Sequence, residues 1–125
     1  MNISEYEVLH ADLSNAAGKQ LARMAHSRKE RKRAAWVIER MEQFIAGGAD
    51  SGERVAPELG AGRIEVYAAP PLPDLAKPPG ALALLRVDHD KRTIELIAVV
   101  VDLPSAEGPI RDQIVQIARG AILGR

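Results

Sequence analysis

The chain has 125 residues, of which 46% are hydrophobic, 27% charged and 3% aromatic, and its 17 basic side chains are balanced by 17 acidic ones. That length holds one core and excludes two ordinary domains, while the composition excludes a disordered chain and leaves an aliphatic core. With no cysteine, disulfides, thiolate catalysis and cysteine zinc sites are excluded as well.

The first twelve residues carry acids and no long apolar run, so no export signal is read there. An apolar stretch such as Ile97 to Val101 falls far short of the roughly 20 residues that cross a bilayer. The expectation is a cytoplasmic protein without membrane contact. Glu5 to Ala11 alternates, with Tyr6, Val8 and His10 on one side, which predicts a short strand. Ala17, Leu21 and Met24 then recur at i, i+4 and i+7, the stripe of a helix. Ser27-Arg28-Lys29-Glu30 fits a capping box and predicts a second helix from near Arg28. Its apolar positions run through Ala34, Val37, Ile38, Met41, Phe44 and Ile45 until Gly47-Gly48 stops it. Together these helices make a hairpin.

After Asp50 the period becomes that of a strand. Arg63 to Ala68 sends Ile64 and Val66 one way and Arg63, Glu65 and Tyr67 the other. Prolines 70, 71, 73, 78 and 79 predict a stiff loop over 70–79. Ala81 to Val87 and Thr93 to Val101 form a hairpin about the turn Asp88-His89-Asp90-Lys91-Arg92. The second of these strands is apolar on both faces and is expected to be the central one. Gly108-Pro109 opens a helix over about 109–123 with Ile110, Ile114, Ile117 and Ala121 on one stripe, fit to cover the second sheet face or to dock onto a partner. The predicted fold is α+β over residues 1–125: an N-terminal strand and helical hairpin packed on a small, mostly antiparallel sheet, plus a C-terminal helix.

Charge is uneven along the chain. Lys19, Arg23, Arg28, Lys29, Arg31, Lys32, Arg33 and Arg40 face only Glu30 and Glu39 between positions 19 and 40. Arg28, Lys29, Arg31, Lys32 and Arg33 are the candidate binding surface, able to engage RNA or DNA phosphates or an acidic protein; the alternative is a solvated helix face. Trp36 lies beside the apolar stripe and reads as a packing residue. No catalytic set stands out. Asp88-His89-Asp90 reads as a turn with an exposed histidine, not as a metal site, and Gly60-Ala61-Gly62 precedes a strand rather than opening a helix, so neither metal nor cofactor is expected.

Gly62-Arg63-Ile64-Glu65-Val66-Tyr67 followed by Gly80-Ala81-Leu82-Ala83-Leu84-Leu85-Arg86-Val87-Asp88, after a strand and a helical hairpin, resembles the RelE/ParE superfamily of small bacterial toxins, its HigB-like branch included. The resemblance spans about Glu5 to Val101. It implies a toxin–antitoxin role, with an acidic antitoxin as a partner, and for the nuclease branch a sheet whose cations stabilise charge on a cleaved messenger RNA. On that pattern Leu82 takes the arginine position and Leu85 the tyrosine position, Arg63 fills the first alternating basic position, and Glu65 takes the second. In a shifted register Arg86 is the equivalent arginine, but Arg86-Val87-Asp88 lacks the tyrosine that follows it in the family. The resemblance therefore implies a module that binds and inhibits a target, gyrase-type or translation-type, rather than a competent ribonuclease, with Arg63 and Arg86 as candidate sheet-face contacts. Two alternatives stay open: a non-toxic interaction or inhibitor subunit, with a homo-oligomer formed through the C-terminal helix, and a small nucleic-acid-binding module.

Overall fold

In the computed structural model the residues described are 5–9, 16–47, 51–55, 64–73, 80–101 and 110–123. Within them the elements are β1 (Glu7–Val8), α1 (Ala16–Ala25), α2 (Arg31–Gly47), β2 (Glu53–Arg54), β3 (Ile64–Ala69), β4 (Ala81–Asp88), β5 (Thr93–Val101) and α3 (Ile110–Leu123). The strands form one five-stranded sheet in the order β1-β5-β4-β3-β2. Only β1 is parallel to its neighbour, with Glu7 opposite Thr93 and Val8 opposite Ile94. The α+β arrangement expected from the periodicities is present, with a two-residue β2 added. Two residues are too few to leave a period. The 70–79 loop is described only as far as Pro73, and Arg63, Gly60-Ala61-Gly62 and His10 lie outside the described residues.

The sheet separates two apolar layers. Ala17, Leu21 and Met24 of α1 and Ala34, Val37, Met41 and Phe44 of α2 are buried against Tyr67, Ala69, Ala81, Ala83, Leu85, Val87, Ile94, Leu96 and Val99. On the other face Ile114 and Ala118 of α3 are buried against Val66, Ala68, Leu82, Leu84, Ile97 and Val100. Of the two uses expected for the C-terminal stripe, α3 thus takes the intramolecular one, with Ile117 only half-buried. The side chains of Ile110 and Ala121 lie outside the described residues. Each large aliphatic side chain so covered contributes about 1.5–3 kcal/mol.

The central strand is β4, not β5. Both read as doubly buried, but β5 gains its second neighbour from β1 over two residues only. A bulge separates the pairs Leu84 with Ala98 and Leu85 with Leu96, leaving Ile97 without a residue opposite. This extra residue flips the alternation, so that Leu96 and Val99 both reach the α1/α2 layer while Ile97 and Val100 reach α3. An apolar run on both faces carries no mark of such a flip.

The joint between α1 and α2 also differs from the capping box. The Glu30 carboxylate turns forward to Arg33 Nη1 at 3.2 Å, and the amides of Glu30 and Arg31 both donate to the Ser27 carbonyl, at 3.2 and 2.9 Å. Residues 28–30 are therefore a turn, and the helix starts at Arg31.

Candidate functional site

A chain of polar side chains lies at the end of the sheet where β4 turns into β5. The turn is built locally. The Asp88 carboxylate accepts from the amides of Asp90 and Lys91, both at 3.0 Å, and Arg92 adopts a left-handed φ of 55°, so that Thr93 pairs back with Asp88. These bonds, that of the Lys91 amide first, hold the Asp88 carboxyl below its ordinary value of 3.8, against the opposing effect of burial.

His89 leaves this turn with its ring folded onto the helical side of the sheet. Its side chain is only 10% exposed, so the expectation of an exposed turn histidine is corrected. Glu65 lies opposite Val87 in the β3–β4 ladder, and its Oε1 meets His89 Nε2 at 2.5 Å. Glu65 Oε2 accepts from Arg54 Nη1 at 3.1 Å, and the Tyr67 hydroxyl donates to Oε1 at 3.4 Å. On the far side of the imidazole, Nδ1 lies 2.9 Å from the Tyr6 hydroxyl, and the two rings meet edge-on with centroids 5.7 Å apart. The parallel strand β1 delivers Tyr6, because the Glu7 amide donates to the Arg92 carbonyl at 3.0 Å and the Leu9 amide to the Ile94 carbonyl at 2.8 Å.

A carboxylate can only accept, so Glu65 selects the tautomer with hydrogen on Nε2 and leaves Nδ1 as an acceptor toward the Tyr6 O–H. The order carboxylate, imidazole, hydroxyl results, with Arg54 anchoring the carboxylate. Tyr67 is different. Burial, and then the charge of Glu65, push its hydroxyl above the ordinary value of 10.0. Among the described residues no group of three or more histidine, aspartate or glutamate side chains is placed to hold a metal ion.

The residues singled out by sequence fall elsewhere. Arg28, Lys29, Arg31 and Lys32 are exposed at the helical joint together with Arg23 and His26, while Arg33 is half-buried beside Glu30. Trp36 donates its indole N–H to the Ala81 carbonyl at 3.3 Å, placing the start of α2 at the beginning of β4. The basic joint and the His89 chain thus sit toward opposite ends of β4, about 20 Å apart at strand rise. The Arg40 guanidinium covers the Trp36 ring at 3.9 Å, so the tryptophan is a packing residue, as expected. Arg86 points to the α3 side of the sheet and pairs with Glu95 across the ladder, Nη2 to Oε1 2.8 Å.

Sequence reading missed Tyr6, Arg54, Glu65 and His89 as a group. The one available signal was the alternation that puts Glu65 and Tyr67 on the same side; the partners arrive only through pairing across the sheet. Comparison with known protein families, curated proteins and solved structures finds no match. Among the described residues no helix is long and apolar enough to cross a membrane.

Proposed function

We propose that this protein is a toxin-like module of the RelE/ParE type that binds and inhibits a macromolecular target rather than cleaving RNA. The observation that carries the reading is the exposed cluster of Arg28, Lys29, Arg31 and Lys32 at the helical joint, set against Arg54 and Arg86, the sheet cations among the described residues, which are paired. Arg86 is neutralised by Glu95 and Arg54 by Glu65. Phosphodiester cleavage needs positive charge concentrated where charge develops, and paired cations supply little of it.

The basic cluster is costly to keep. Arg28 and Lys29 of the turn and Arg31 and Lys32 of the first turn of α2 bring four exposed like charges within five positions. All of them oppose the macrodipole at the start of α2, whose first turn holds no acid. An anionic partner offsets both effects, and an acidic antitoxin segment fits that surface. The strand and helical hairpin lying on a mostly antiparallel sheet supports the family reading.

Induced expression of the intact chain in a bacterial host, beside a variant with Arg28, Lys29, Arg31 and Lys32 replaced by Glu, tests the proposal. Growth arrest with the native chain and relief in the variant are expected. Unimpaired growth at high levels of folded native protein removes the inhibitory role. The same basic surface favours a second reading, a nucleic-acid-binding module. Affinity for RNA or duplex DNA that falls steeply with salt would support it, and salt-independent affinity would count against it.

A further inference from the structure

We infer that Tyr6, His89 and Glu65 form a nucleophilic site in which the Tyr6 hydroxyl accepts an acyl group from a neutral activated ester, with His89 as general base and Glu65 as its positioning residue. This inference stands apart from the binding role proposed for the basic joint, and neither depends on the other.

The arrangement satisfies the geometry that activated hydroxyls require: nucleophile and base within hydrogen-bond reach, and the base oriented by a third group. Tyr6 Oη to His89 Nδ1 is 2.9 Å, and His89 Nε2 to Glu65 Oε1 is 2.5 Å. A purely structural tie between β1 and the turn needs only the first of these bonds. The second, with Arg54 behind it, fixes the ring orientation and tautomer that make Nδ1 an acceptor and would stabilise an imidazolium. Tyr6, His89 and Glu65 are all partly buried rather than fully enclosed, and the Tyr6 hydroxyl is the nucleophilic end of the series.

The turn that carries His89 holds exposed charges of both signs, Asp90, Lys91 and Arg92, and the Glu65 carboxylate lies behind the imidazole. Such a mixed setting draws a polyanion less than the basic joint does, so the acyl donor of the proposal is a neutral ester. In the step proposed, Tyr6 Oη attacks the ester carbonyl carbon while its proton passes to His89 Nδ1. The tetrahedral adduct then collapses, the bond from carbon to the leaving oxygen breaks, and that oxygen takes the proton from Nδ1. Acyl-Tyr6 and a free alcohol result.

The test uses p-nitrophenyl acetate with the full chain, following p-nitrophenol release and the site of acetylation by peptide mass. The chain has two tyrosines, and the buried Tyr67 serves as an internal control. Acetylation at Tyr6 at least about a hundredfold faster than that of N-acetyltyrosine amide is expected, the lower reach of general-base assistance. It should vanish in Tyr6→Phe, fall to the free-tyrosine rate in His89→Gln with circular dichroism unchanged, fall in Glu65→Gln, and recover in part in Glu65→Asp. Equal rates for Tyr6 and the free amide would overturn the inference whatever the variants do. So would a His89→Gln protein that folds and labels as fast as the native one.

Discussion

Tyr6 and His89 are 83 positions apart and meet through a 2.9 Å hydrogen bond, which ties the N-terminal strand to the turn between β4 and β5. Because β1 pairs with β5 over only two residues, this bond adds to the backbone bonds of Glu7 and Leu9 and to the packing of the Tyr6 ring in holding the first strand in place.

Replacing Tyr6 by Phe keeps the ring and removes the hydroxyl, leaving Nδ1 of a mostly covered imidazole without that partner. A loss of about 1 kcal/mol is expected in urea unfolding, together with faster amide exchange at Glu7 and Leu9. Unchanged exchange at both amides would show that β1 is held by other contacts.

Two glycines should respond in opposite directions to alanine. A Cβ at Gly52 would stand 2.8 Å from the Ala68 carbonyl oxygen and 2.8 Å from Phe44 Cδ1, so Gly52→Ala must move β3 or the Phe44 ring and should destabilise by about 1–3 kcal/mol. At Gly120 in α3 nothing lies within 4 Å, so Gly120→Ala should stabilise by up to about 1 kcal/mol. Thermal melts of the two variants check the signs.

Ile114 is fully buried between α3 and the sheet. Truncation to Ala should remove about 2–5 kcal/mol. The damage should concentrate on one layer: exchange protection in α3 falls before that in α1 and α2. Uniform loss across all three helices would mean that the two layers unfold as one unit.

The turn carboxylate makes stability depend on acid. With the Asp88 carboxyl held below 3.8, the unfolded chain takes up a proton there more readily than the folded one. Its stabilisation is therefore complete above that value and is lost as pH falls through the lower folded value. Asn at 88 keeps an acceptor oxygen without the titration. Denaturant titrations of native and Asp88→Asn proteins should differ by a constant amount above about pH 5 and converge below it. A difference that grows toward low pH would reverse the sign.

Much of the secondary structure could be read locally. The stripe Ala17, Leu21 and Met24 is buried as its spacing requires, and Thr93–Val101 is a strand with the bounds its composition suggests. Helical and strand periods are properties of neighbouring residues, and neighbouring residues are what a sequence displays. The site was not readable in that way. Glu65 looked like an acid out of place on a basic strand and His89 like an incidental turn residue, because the bond between them depends on the β3–β4 register and the bond to Tyr6 on a parallel pairing with β5.

Apart from the two-residue β2, the order of elements, together with the aliphatic core and the concentration of cations before Trp36, follows from the amino-acid sequence alone, since each is a local pattern of apolarity or charge. Tertiary structure decided which strand is central, where Ile97 breaks the alternation, that Ile114 turns inward, and which distant side chains meet at His89. These depend on pairing and packing between segments far apart in the chain, and a shift of one residue in a ladder would send that strand's side chains to the opposite face.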